Sequence, residues 1–250
     1  MRAALWAEAV KLTSSAVGRV GTAAIVGGIA VLCGALLLAA ESGDPQLVAK
    51  LGPAADGGWS GLLAAAAQVT GAGGLLGFGV VLAWLFGREF GEGTVSGLFA
   101  IPIRRSTIAA AKLLVYGAWA TLASVALAVA LLVVGLVSGL GAFPAELWPA
   151  IARQLALTVM TAAVATPVAW AATAGRSLLV GVSTAIGIVI VAQVSVLAGA
   201  GGWMPLAAPA LWAVSGGSAV SLLQLSLLVP VVAAVAGATM AIWERLQLDR

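Results

Sequence analysis

Residues 177–243 read SLLVGVSTAIGIVIVAQVSVLAGAGGWMPLAAPALWAVSGGSAVSLLQLSLLVPVVAAVAGATMAIW, 67 residues without an Asp, Glu, Lys or Arg. About 20 apolar residues suffice to cross the hydrocarbon core of a bilayer. The stretch therefore holds more than one crossing. Gly199, Gly201, Gly202, Pro205, Pro209, Gly216 and Gly217 are poor continuations of a helix and divide it. It reads as two spans, about 178–198 and 219–242, with an apolar segment 199–217 between them.

Working outward, four further runs lack charge: 20–40, 57–87, 113–145 and 154–175. Each holds one span, which gives six: about 20–40, 62–86, 113–138, 154–175, 178–198 and 219–242. The first run follows 19 residues and is 21 long, too long for a signal-peptide core, so it reads as a retained span. The expected fold is an all-α polytopic membrane protein, one transmembrane domain over 1–250. The 250-residue composition agrees. It is 62% hydrophobic with 12 Lys+Arg and 9 Asp+Glu, and its mean hydropathy is +1.13. Charged residues make up 8%, against about 25% in soluble proteins, too few to cover a water-facing surface.

Absences narrow the chemistry. There is no histidine, hence no imidazole base, relay or metal ligand. The single Cys33 makes neither a disulfide within the chain nor a metal site. No G-x-x-x-x-G-K-[ST] phosphate loop occurs. No metal and no nucleic-acid partner is expected.

With the N-terminus placed in the cytoplasm, ten basic residues fall inside and two, Lys50 and Arg153, outside. This bias predicts both termini cytoplasmic. Residues 1–19 form a candidate interfacial helix: Glu8, Lys11, Ser15 and Arg19 fall within about 80° of one another at 3.6 residues per turn. Leu5, Trp6, Ala9, Val10, Leu12, Ala16 and Val17 occupy the other side, with Trp6 at headgroup depth. A plain lead-in to the first span is the alternative. Segment 199–217 suits either short helices or a re-entrant piece packed back into the outer leaflet, or a tight loop that places Trp203 and Trp212 in the interfacial belt.

Charges cluster once, in 87–112, where Arg88, Glu89, Glu92, Arg104, Arg105 and Lys112 lie. Val95, Leu98, Phe99 and Ile101 make a short apolar face, stopped by Pro102. The segment reads as an amphipathic helix that docks a cytoplasmic partner, or as a basic loop that only sets topology. The spans are almost free of ionisable groups and carry no Asp, Glu, Lys or Arg at mid-membrane, which argues against ion-coupled transport and charged-ring channels. Gln68 and Thr70 in span two, and Gln193 and Ser195 in span five, are the first candidates for a substrate path. Helix–helix hydrogen bonding is the alternative at each. Gly73 and Gly77 form a small-xxx-small pair, and Pro167 and Pro230 should kink their helices.

Glu89, Gly93-Thr94, Leu98, Pro102, Arg104-Arg105 and Lys112 stand in the order seen after span two of ABC-2 type permeases, membrane subunits of ATP-driven exporters. Five residues separate Glu89 from Thr94, and eight separate Thr94 from Pro102. The resemblance covers about 25 residues. It implies six spans and a segment that couples to a separate cytoplasmic ATP-binding cassette subunit. ATP and Mg would then sit on that partner, with no cofactor in this chain. It further implies a second permease chain, identical or related, and spans two and five facing the centre of that dimer. The coupling residues would be Glu89, Glu92, Thr94, Val95, Leu98, Phe99, Pro102, Arg104 and Arg105. Of these, the apolar ones would seat in a groove on the partner. The arginines would meet acidic partner residues or lipid phosphates.

Such a chain is not itself an enzyme; the assembled complex is an ATP-hydrolysing translocase. Compact chains of this type are usual in bacteria, so a multi-pass protein of the cytoplasmic (inner) membrane is expected. An apolar lining suits a hydrophobic or amphipathic cargo, such as a drug, antibiotic, peptide or lipid. The alternative is a membrane scaffold that recruits cytoplasmic proteins through 87–112.

Overall fold

The computed structural model describes residues 1–42, 45–99 and 102–247. Six helices are long and apolar enough to cross a membrane: Ala16–Glu41, Gly58–Gly91, Arg105–Val137, Ala145–Ala174, Leu178–Leu197 and Leu222–Arg245, here spans 1 to 6. No strand occurs among the described residues. Span 1 starts and span 6 finishes at the same end of the bundle, the basal end; the other is the distal end. Several helices outrun the apolar stretches that located them. Span 2 runs on to Gly91, past Arg88 and Glu89, and span 3 begins at Arg105. Charged residues mark the edge of hydrocarbon, whereas the backbone hydrogen-bond ladder continues past it into the interface.

Spans 2 and 4 are the most buried and spans 5 and 6 the least. Phe78, Leu82, Phe86, Leu127, Leu131 and Trp243 are fully buried at the centre. Tyr116 donates to the Ala162 carbonyl at 2.9 Å and ties span 3 to span 4. Irregularities have local causes. Glycine-rich Ala24–Gly28 and Thr70–Gly74 each wind as a π-turn, a form that often marks functional positions. Span 4 is interrupted between Val164 and Pro167, whose ring lacks the amide proton. Thr166 there donates to the Ala163 carbonyl at 2.6 Å. Span 6 breaks at Leu227, just before the turn that Pro230 opens.

The leading helix, Arg2–Ser14, differs from its sequence reading. It ends at Ser15, whose side chain accepts from the Gly18 amide and donates to the Leu12 carbonyl, both at 2.9 Å. Residues 16–19 therefore belong to span 1. The polar sector is divided: Glu8 is 2% exposed and packs inward beside Leu12, Lys11 and Ser15 are half-buried, and Arg19 is exposed. Trp6, 72% exposed, faces out as expected.

Segment 199–217 folds back on the bundle. A short distal helix, Ala208–Val214, packs against spans 2 and 4. Ala207, Ala208 and Pro209 are buried, and a Cβ built on Gly71 of span 2 would stand 3.0 Å from Ala210 Cβ. The segment thus carries a short helix packed on the bundle, while Trp203 stays 65% exposed.

Candidate functional site

Two places concentrate polar groups against apolar surroundings. At the basal end, Glu8, Lys11, Glu89 and Lys112 form one cluster. Lys112 is 1% exposed. It donates to Glu8 Oε2 at 3.0 Å, to Glu89 Oε1 at 2.9 Å and to the Leu85 carbonyl at 2.9 Å. An ammonium has three protons, and all three are used. Lys11 donates to Glu8 Oε1 at 2.8 Å and to Glu89 Oε1 at 3.0 Å.

Two carboxylates and two ammoniums give local neutrality, which is the condition for keeping charge out of water. Phe86 and Trp243 wall the cluster, with ring centroids 5.9 and 5.7 Å from Lys112 Nζ. Trp243 is held in turn by its indole donating to Thr173 at 3.1 Å. Burial pulls the Lys11 pKa down, but the Glu8 hydrogen bond and the charge of Glu89 outweigh it, so the pKa is raised. One atom is left over: Glu89 Oε2 is buried with no hydrogen-bond partner. The cluster locks the leading helix to the end of span 2 and the start of span 3.

This placement shows what each of the expected coupling residues faces within the chain. Glu89 is 2% exposed, so its carboxylate is directed at Lys11 and Lys112, not outward at a docked subunit. The expected amphipathic helix is only five residues, Val95–Phe99. Val95 is buried and Leu98 half-buried against the core, so this apolar face already packs on the chain's own spans. Ile101 and the Phe99 side chain lie outside the described residues.

What the basal end presents outward is mostly polar: Glu92, Thr94, Ser96 and Arg104 are exposed, together with Pro102. Arg88 pairs with Glu92 at 3.1 Å and stacks on Trp84, 4.7 Å from its centroid. Arg105 turns inward and donates to the Leu246 carbonyl. Arg176 donates to the Gln247 carbonyl at 3.0 Å. Both guanidiniums thus hold the backbone just past span 6, where carbonyls lack helical partners and a cation is favoured.

The second place is a cleft of about 350 Å³ in the distal half of the bundle. Span 2 supplies Gln68 and Gly71, span 5 supplies Ala192 and Gln193, and the distal helix closes the side with Ala207 and Ala210. The cleft exists because spans 2 and 5 part there. Nearer the basal end they touch: a Cβ on Gly79 would stand 2.5 Å from Ala185 Cβ, and one on Gly181 2.7 Å from Ala83 Cβ. The π-turn Thr70–Gly74 lies on the cleft side of that contact.

Gln68 and Gln193, 125 positions apart, thus line one apolar cavity. Neither carboxamide has a hydrogen bond among the described residues. Thr70 is turned away, buried, and accepts from Gln154 at 2.9 Å across to span 4. Ser195 donates to carbonyls of its own helix, Val191 and Ala192, and is not part of the lining. So two of the four path candidates come together and two serve the helices. Glu8 and Lys11 were read from sequence only as a polar helix face, and Gln154 was not singled out. A glutamate and a lysine three apart, set among Ala, Leu, Trp and Val, were the available signal.

Compared with known families, residues 62–193 match the model of the ABC-2 family transporter protein. The match covers just over half of the chain and contains the basal segment and both glutamines of the cleft. The chain belongs to the ABC-2 transporter family. Among curated proteins nothing matches. An ABC-2 permease is the membrane component of its transporter, not the nucleotide-binding unit, and typically works with an ATP-binding subunit. The six-span bundle described above is a multi-pass membrane protein of that family.

Proposed function

We propose that this chain is the permease subunit of an ABC exporter that moves a hydrophobic or amphipathic molecule such as a drug, antibiotic, peptide or lipid. The observation that carries the reading is the distal cleft. It is a half-open, mostly apolar cleft between spans 2 and 5, where Gln68 is half-buried, Gln193 is exposed, and neither carboxamide has a hydrogen bond among the described residues. The two carboxamides are open to a ligand's polar group while the apolar walls meet its body, so the arrangement suits a ligand with an apolar body and a polar group. Pockets of this size and character are typical small-molecule sites.

In this reading the basal end is cytoplasmic and an ATP-binding cassette subunit docks there. Its contacts are the polar rim of Glu92, Thr94, Ser96 and Arg104, and ATP and Mg stay on that subunit. The Glu8–Lys11–Glu89–Lys112 cluster lies behind the rim. It makes the leading helix, span 2 and span 3 respond together when the rim is pushed. A second permease chain completes the path, and the membrane is the bacterial cytoplasmic membrane.

The test begins with the tagged chain purified from its host in mild detergent, with co-purifying proteins identified by mass spectrometry. An ATPase near equal stoichiometry is expected; isolation without one overturns the reading. In that complex Gln68→Leu and Gln193→Leu should each lower cargo-stimulated ATP hydrolysis about tenfold and leave the basal rate intact. Ten-fold is the size expected for one good hydrogen bond. Unchanged stimulation in both variants removes the cleft from the path.

A further inference from the structure

A second cavity lies on the outside of the bundle, where the leading helix turns into span 1. It is a groove of about 520 Å³ with Thr13 and Arg19 at its mouth; Ala23, Val26 and Gly27 of span 1 and Trp119 of span 3 form its walls. On the same two spans Val20 is 67% and Leu122 71% exposed. Large aliphatic side chains so exposed on membrane spans face hydrocarbon, so the groove opens sideways to lipid.

Its interior makes no polar demand. The Trp119 indole donates to Thr22 at 2.9 Å, and Thr22 donates to the Gly18 carbonyl at 2.7 Å. The polar groups along the walls thus satisfy one another and leave an apolar channel. Nothing stands within 4 Å of where a Cβ on Gly27 would be, so the inner part is open. From Arg19 to Gly27 the helical rise is about 12 Å, close to half the roughly 30 Å hydrocarbon thickness. The groove is therefore about as deep as one leaflet.

The mouth is charged. Arg19 is exposed and makes neither an ion pair nor a hydrogen bond among the described residues. It is the last charge before the apolar stretch of span 1, and a long basic side chain there extends to the headgroups. A dry channel one leaflet deep with an unpaired guanidinium at its mouth matches one chemistry: an acyl chain joined to a negatively charged headgroup.

We propose that this groove binds an anionic phospholipid, its phosphate on Arg19 and one acyl chain along Ala23, Val26 and Gly27. The site joins the turn at Ser15 to Trp119 of span 3, so a bound lipid braces the leading helix against the bundle. The proposal makes no use of the distal cleft and stands or falls independently of the transported cargo.

The experiment is native mass spectrometry of the delipidated full chain, titrated with equimolar phosphatidylglycerol and phosphatidylcholine. Protection of the buried Cys33 from a thiol reagent serves as the check on folding for every variant. One phosphatidylglycerol per chain is expected, preferred about fivefold, the factor that corresponds to one basic residue near an anionic surface. Arg19→Gln should abolish the preference and Arg19→Lys keep it. Gly27→Phe, which fills the channel, should remove retention of both lipids.

Equal retention of the two lipids by the unaltered chain overturns the proposal, as does a preference that survives Arg19→Gln. Displacement of the lipid by glycerol phosphate alone identifies a soluble-anion site instead. If Gly27→Phe changes self-association and leaves lipid retention intact, a second copy of the chain covers the groove and the proposal fails.

Discussion

Replacing Lys112 by methionine removes the cation on which the basal cluster is built and leaves most of its volume filled. The loss follows from the geometry. Lys112 Nζ donates to two carboxylates and a backbone carbonyl within 3.0 Å. The side chains involved are 1% and 3% exposed. Removing one partner of a buried ion pair costs about 3–5 kcal/mol, because the partner charge stays buried. Lys11 remains beside both carboxylates, which places the expected loss near the lower figure, about 3 kcal/mol.

For a chain of 150–250 residues each kcal/mol shifts the unfolding temperature by about 2–4 °C. The expected drop is therefore roughly 6–12 °C. Lys11→Met removes a cation that is a third exposed, so it should cost under about 1 kcal/mol. Combining Lys112→Met with Glu89→Gln restores neutrality and leaves the Glu8–Lys11 pair, so the double variant should regain at least half of the loss. The chain carries its own reporter: Cys33 is its single cysteine and is buried, so a thiol-reactive fluorophore reports unfolding in detergent. The reasoning is refuted if Lys112→Met costs no more than Lys11→Met, or if the double variant falls by the sum of the single ones.

Two further outcomes are read by the same thermal assay. Gly79→Val drives a side chain into Ala185, whose Cβ stands 2.5 Å from the new atom, and should cost about 1–3 kcal/mol. Gly187→Ala, with open space around its Cβ, should be neutral or slightly stabilising; equal losses at both positions count against the close packing of spans 2 and 5. The raised pKa of Lys11 fixes the sign of a pH effect. A group whose folded pKa lies above its unfolded value of 10.5 stabilises fully below that pH and loses the contribution as pH climbs through the folded pKa. The unfolding temperature should therefore hold through neutral pH and fall above pH 10.5, with part of the fall missing in Lys11→Gln.

The six spans were legible in the sequence because hydrocarbon excludes charge. A stretch such as 177–243 has no other stable home than a membrane, and its glycines and prolines mark where the chain turns. The loop after span 2 was recognisable for a similar reason, since charges cluster only where the chain leaves the hydrocarbon. Helix ends were less legible, because the backbone ladder of spans 2 and 3 runs on beyond the apolar residues.

Only the tertiary structure decided what the polar residues face. Amphipathicity sets a polar side against an apolar one, but water and a buried counter-charge leave the same pattern. Glu8 and Lys11 therefore read as a wetted face when they in fact meet Glu89 and Lys112, 78 to 104 positions away in the chain. The short helix at 95–99 likewise carries an apolar face whose partner turned out to be the chain's own core. Gln68 and Gln193 read as equals of Thr70 and Ser195, since each is a polar residue in an apolar span. Their difference rests on where span 2 leaves span 5 at the Thr70–Gly74 π-turn and on the distal helix that folds back beside it. Exclusion of charge from hydrocarbon acts residue by residue and is written locally; the pairing of a buried charge or amide depends on which helices meet, which packing alone determines.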